Sequence, residues 1–334
     1  MDLYNEDLVP VGQVAESYNL MFNQQMEFAL NLLDNKEKFA SILQKRLDNT
    51  ILIECDARKG YRTSLYNTEL HKLKFSVRAG AFVSYAKQLR YEKGWKITNG
   101  IYIRKGAYDM NNSTTSRRSL PHEAFHIMSC NTELNFDKAG YCYSKMGFQV
   151  KKYDEQDNEI DIGLNPLLLT EGTTEMLANM FNKTLKPQAY SFAVFIARTL
   201  NCAKTKPTLL ETYFSEDIND VKQFFNNFNK SQTYITSNDL ISAPIAETFW
   251  KDKNCPKIIK GCLEYTINSI DSVYELKEFY KTIKDVIINI GDNITVNIGE
   301  EHKDKVVEFI KRSLIELLDK RKQEIINQQN TTTN

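Results

Sequence analysis

His122-Glu123-Ala124-Phe125-His126 forms an H-E-x-x-H pattern whose residue types and spacing specify a chemistry. On a helix each residue advances about 100° and about 1.5 Å, so His122 and His126 share one face, one turn apart. Two imidazoles placed in that way hold one zinc ion, and Glu123 projects beside it as a general base. The chain has four histidines, two of them in this pentapeptide. The competing reading is a pair of ordinary helix histidines, and a third ligand decides between the two.

A catalytic zinc takes three protein ligands and keeps one position open. His71 and His302 lie in unrelated contexts, and Ser129 and Thr132 occupy the positions where H-E-x-x-H-x-x-G-x-x-H needs Gly and His. A carboxylate must therefore complete the site. Glu171 and Glu175, four apart in Leu169-Thr-Glu-Gly-Thr-Thr-Glu-Met-Leu-Ala178, are the main candidates, with Glu133, Asp137 and Asp161 behind them. One of the pair would coordinate the metal. The other, a turn away on the same face, would hydrogen-bond an imidazole N–H and set its tautomer. Gly172 is expected to leave room for the zinc helix.

The elements that must position these residues follow from hydrophobic period and punctuation. Ser119 as N-cap and Pro121 in the first turn open the zinc helix, after a polar loop from Met110 to Arg118. Residues 14–48 predict helix with a break at Asp34-Asn35, the apolar side including Leu20, Met21, Phe28 and Leu33. Thr50–Cys55 and the alternation of Leu73, Phe75 and Val77 predict strands, and Gly80–Tyr91 a helix. Trp95–Arg104 predicts a strand with a turn or bulge at Asn99-Gly100. Its edge either accepts an extended peptide or is covered as an interior strand. Gly140–Val150, a turn over Asp154–Asn158 and a return strand at Ile160 and Ile162 make a hairpin, and everything from Ala189 onward reads as helix. The last helix runs from His302 to Asn327, before a tail from Gln328 expected to fray.

Composition narrows the function classes. The 334 residues carry 43 basic and 43 acidic side chains, a balance that favours neither a nucleic-acid nor an acidic-membrane partner. No apolar run approaches a membrane span, and the acidic N-terminus lacks the pattern of a signal peptide. Six scattered cysteines without C-x-x-C pairing read as reduced thiols, so the expected location is cytoplasmic.

With H-E-x-x-H followed by Thr170-Glu171-Gly172, the chain resembles the gluzincin branch of zinc metallopeptidases, whose third ligand is a glutamate on a later helix. In aminopeptidase-like members that glutamate stands in Asn-Glu-Gly; here Thr replaces Asn. The run Gly147-Phe148, Ile162-Gly163 and Glu171-Gly-Thr-Thr-Glu175 is also similar to a group of uncharacterised bacterial gluzincin-like proteins, over about residues 97 to 200. The resemblance implies Glu171 as the ligand over Glu175 and one zinc ion per chain. It implies cleavage of peptide or protein substrates by a zinc-bound water that Glu123 activates. It further implies a Tyr or His that steadies the oxyanion; Tyr190, Tyr141, Tyr143, His302 and Arg117 are candidates. The alternative is a catalytically silent gluzincin-like binding or regulatory protein with a helical partner-binding region. The expected fold is α+β and predominantly helical, a zincin-like small sheet with its active-site helix and then a helical subdomain. The expected divisions are 1–110 for the N-terminal helices and sheet, 111–200 for the zinc-binding core, 201–327 for the helical subdomain and 328–334 for a disordered tail.

Overall fold

The computed structural model describes residues 3–4, 16–48, 50–55, 81–91, 94–104, 116–131, 133–134, 137–156, 158–183, 190–231, 233, 235–244, 254–298 and 300–332. The described chain is mostly helical with two small sheets, an α+β arrangement. It divides into two compact units, residues 1–162 with 214–216, and residues 163–213 with 217–334. No helix among the described residues is long and apolar enough to cross a membrane.

In the first unit, β1 (Leu3–Tyr4) is followed by α1 (Glu16–Asn31) and α2 (Lys36–Asp48). The break between the helices falls at the expected Asp34-Asn35, because the Asn35 side chain accepts the Lys38 N–H at 3.2 Å and so caps α2. The buried stripe of α1 is Phe22, Gln25 and Ala29, continued by Leu33 just after the helix, whereas Leu20 is 59% exposed. A polar Gln on the inner stripe shifts the true phase away from the one that the apolar residues alone suggest. On α2, Phe39, Leu43 and Leu47 are buried as expected, together with Arg46.

The first sheet has the order β1-β2-β4-β3, with β2 at Thr50–Cys55, β3 at Ala81–Tyr91 and β4 at Gly94–Arg104. Helix was expected over Gly80–Tyr91, and a strand is found. Phe82, Tyr85, Ala86 and Leu89 fit a helical period. A partner strand beginning three residues later, however, offers a ladder along all of β3 at little loop-closure cost. Asn99-Gly100 makes no turn: both residues lie inside β4 opposite Tyr85 and Ser84, and the ladder's irregularity falls instead between Gln88 and Arg90. The strand Leu73–Val77 lies outside the described residues. Because β4 has β3 on one side, and β2 and then β5 (Glu133–Leu134) on the other, it is an interior strand with no edge for a peptide.

The motif helix, α3 (Ser116–Met128), starts three residues before the expected cap, so Ser119 and Pro121 lie within it. After it, β6 (Cys142–Met146), β7 (Gln149–Tyr153) and β8 (Glu159–Ile160) form an antiparallel meander. The single strand expected over Gly140–Val150 is therefore two. Gly147, at φ 56°, takes the first turn position between them, where a two-residue hairpin needs a left-handed residue. The Asp154–Asn158 turn is as expected, with the Asp154 carboxylate accepting the Gln156 and Asn158 amides. Ile162 lies beyond the last strand.

The second unit is helical: α4 (Leu167–Phe181), α5 (Ser191–Asn201), α6 (Leu209–Phe214), α7 (Ile218–Lys230), α8 (Ser237–Ile241), α9 (Cys255–Asn268), α10 (Val273–Ile298) and α11 (Glu300–Thr332). Here α5 packs on α4, α9 and α10, and α11 lies along α9 and α10. Asp217 caps α7, and Thr236 with Asp239 forms a capping box on α8. Phe224, Phe228 and Tyr265 are buried, and the last two stack with centroids 4.7 Å apart. On α11, Ile310, Leu314 and Leu317 are buried, and the helix runs on through 328–332, where fraying was expected.

Candidate metal centre

Helix α3 is buried on nearly every side: Leu120, Ala124, Phe125, Ile127 and Met128 are inaccessible. Apart from the rim of His122, 9% exposed, Glu123 is the one partly exposed side chain between 120 and 131. His126 is 4% exposed. The two imidazoles stand edge to face, 74° apart, with their Nε2 atoms at 3.1 Å. Two nitrogens bonded to one tetrahedral zinc at about 2.0–2.1 Å would be roughly 3.3 Å apart, so the pair already has a metal-binding separation.

The end of α3 is pinned to the meander. Asn131 accepts the Lys145 N–H at 2.8 Å and donates to the Tyr143 carbonyl at 2.8 Å, while Ser129 Oγ accepts the Gly147 N–H at 2.9 Å. The last carbonyls of the helix are satisfied locally. Ser129 N–H bonds to Phe125 and His126, Cys130 N–H bonds to Ile127, and the Ser129 hydroxyl bonds to His126 at 2.7 Å. The Met128 carbonyl accepts from Arg46.

Helix α4 carries the downstream carboxylates. It is buried almost all round, and between 168 and 179 Glu171 alone is partly exposed. Among the described residues, the His, Cys, Asp and Glu side chains that converge enough to share an ion are His122, His126 and Glu171. Their ligand atoms all lie within 4.8 Å of one another. The donor set, two imidazoles and one carboxylate, fits a divalent transition ion.

Glu175, one turn along α4, is buried and outside this group; its Oε1 accepts from Asn179 at 3.3 Å. Asp137 also stands outside it, closing the turn before β6 by accepting the Ala139 and Tyr141 amides at 2.9 and 3.0 Å. Asp161 is exposed, and the Glu133 side chain lies outside the described residues. Gly172 does serve a close approach, that of α5: a Cβ there would run into the Ala193 carbonyl. Thr174 fixes the same helix by bonding to the Tyr213 hydroxyl at 2.6 Å.

Of the residues considered as oxyanion donors, Tyr190 begins α5 in the left-handed region at φ 55°. Lys152 covers the Tyr141 ring at 3.4 Å, and the Tyr143 carbonyl is engaged by Asn131. The Arg117 and His302 side chains lie outside the described residues. Sequence reasoning missed Gln25 and Arg46, which reach α3 from α1 and α2. The signal was a polar residue at a position where helical period calls for an apolar one. No protein-family model, curated protein or solved structure matches the chain.

Proposed function

We propose that this chain is a zinc-dependent metallopeptidase of gluzincin type, with His122, His126 and Glu171 as the residues that hold the ion and Glu123 as the general base. The reading is supported above all by the convergence of Glu171, far away in sequence, on the histidine pair of H-E-x-x-H. A bound zinc supplies Lewis acidity and makes water acidic enough to lose a proton near neutral pH. Glu123 is suited to take that proton and return it to the leaving amine. It is next to His122 in sequence, roughly 100° around α3, and is the one partly exposed side chain on its stretch of helix. The near-complete burial of His126 and His122 holds the imidazoles in one orientation while Glu123 is less enclosed. Glu175, buried behind Glu171, is suited to orient a neighbouring ligand.

Glu123→Gln tests the assignment. The variant should bind the same amount of zinc as wild type and cleave a peptide library on the order of a hundredfold to ten-thousandfold more slowly, the usual worth of a general base. Undiminished cleavage would remove Glu123 from its role. Metal binding without cleavage by the wild type would favour the catalytically silent alternative.

A further inference from the structure

The helix that carries the histidine pair is held just before His122 and just after His126 by buried polar side chains from α1 and α2. Gln25, fully buried between Phe22 and Ala29, donates from Nε2 to the Pro121 carbonyl at 3.0 Å, one residue before His122. Its Oε1 is buried with no hydrogen-bond partner, which a leucine of similar size would avoid. Arg46, also fully buried, donates from Nη1 to the Met128 carbonyl, two residues after His126, and to the Phe214 carbonyl at 2.8 Å. Glu216 stands 3.9 Å from Nη2. A buried guanidinium carries a desolvation penalty that an apolar side chain does not, so packing alone does not select it here. Both residues are unfavourable choices for filling space, and both aim their donors at carbonyls flanking the two histidines.

Pro121 has no N–H, so the Arg117 carbonyl loses its partner in the ladder and the pitch of that turn is less constrained; the Gln25 bond to the Pro121 carbonyl braces it from α1. At the C-terminal end, the carbonyls of Phe125, His126 and Ile127 are satisfied from within the chain's own turn, whereas Met128 accepts from Arg46. The positive guanidinium also meets the negative end of the helix dipole.

We propose that Gln25 and Arg46 are positioning residues for the metal centre: they set the height and rotation of α3 and thereby the separation and aim of the His122 and His126 imidazoles. The inference rests on reading these histidines as metal ligands. It makes α1 and α2 a clamp on the site as well as packing surface.

The test uses full-length wild type, Gln25→Leu, Arg46→Met and the double variant. Three quantities are read: zinc affinity by competition with a chromogenic chelator, the visible absorption of bound Co2+, and melting of the metal-free protein. Leu314→Ala, in the buried stripe of α11, is the destabilised control. Each single variant should lose roughly tenfold in zinc affinity, as loss of an outer-shell partner does, with an altered Co2+ spectrum in folded protein. The double variant should lose less than the product of the two, since both act on one helix. Leu314→Ala should melt lower with affinity and spectrum unchanged. The inference is overturned if Gln25→Leu and Arg46→Met melt lower yet match wild type in affinity and spectrum, or if Leu314→Ala weakens zinc equally. Should Arg46→Met fail to fold, Arg46→Lys, which keeps the charge but loses the planar fork, is judged by the same criteria. A wild type that binds neither ion overturns the metal reading itself, and this inference with it.

Discussion

At the scale of single residues, the proposed metal site makes a sharp contrast between two glutamates one turn apart. Glu171 is partly exposed and converges with the imidazoles, while Glu175 is buried behind it against Asn179. Glu171→Gln removes a charged ligand and should weaken zinc binding by more than about a hundredfold, beyond what loss of an outer partner costs. Glu175→Gln should stay within about ten- to a hundredfold of wild type. Chelator competition on the two variants checks the order, and equal losses would put both carboxylates on the ion. The choice between them was only half legible in the residues. Helical period put Glu171 and Glu175 on one face, and the resemblance carried by Glu171-Gly172 favoured the first. Exposure along α4 distinguishes them, because burial depends on neighbours that no local pattern names.

At the scale of elements, α4 is held by a contact of backbone with backbone. With the Ala193 carbonyl against Gly172, an added methyl has no flexible side chain to displace, so α5 itself must shift. Gly172→Ala should therefore destabilise by about 1–3 kcal/mol, outweighing the roughly 1 kcal/mol by which Ala is favoured over Gly in a helix. Thermal denaturation decides the sign. The sequence suggested that Gly172 made room for a helix, and the observed approach is that of α5, since a glycine announces a close approach without saying whose.

Helix α8 offers a pH-dependent test at the same scale. The Thr236 backbone N–H, donated to the Asp239 carboxylate at 2.8 Å, holds that group below the usual carboxylate value, helped by the Thr236 hydroxyl and Lys257. A depressed folded pKa contributes stability above the unfolded value of about 3.9, and that contribution is lost as pH falls through the lowered folded one. Wild type should be more stable than Asp239→Asn by up to about 1 kcal/mol at neutral pH, and the two melting curves should converge in that acidic window. Strand β3 illustrates the opposite difficulty. Its residues fit both periods, and only the nearby partner strand, through a ladder that satisfies the backbone, decides in favour of extension.

At the scale of the whole molecule, binding of an ion to the native arrangement of His122, His126 and Glu171 stabilises the folded state by mass action. At a hundred times its Kd, zinc should add about 2.7 kcal/mol and raise the melting temperature by several degrees. His126→Ala should show no such rise, and a chelator should return wild type to the metal-free value. Calorimetry with and without zinc checks both, and a melting temperature indifferent to zinc would count against the metal centre.

The sequence by itself determined what depends on neighbours a few residues apart. It placed two imidazoles on one turn of helix with a carboxylate beside them, the break at Asp34-Asn35, the helices after Ala189, and the absence of an apolar membrane-length run. These follow from the 3.6-residue period and side chains that reach their own backbone. The tertiary structure alone decided which glutamate meets the histidines and which strand lies inside the sheet. It alone revealed that Gln25 and Arg46 reach carbonyls of α3 on either side of the histidine pair. Those outcomes depend on chain closure over long separations, where burial can make a polar residue part of the core and one-dimensional spacing contains no record of the partner.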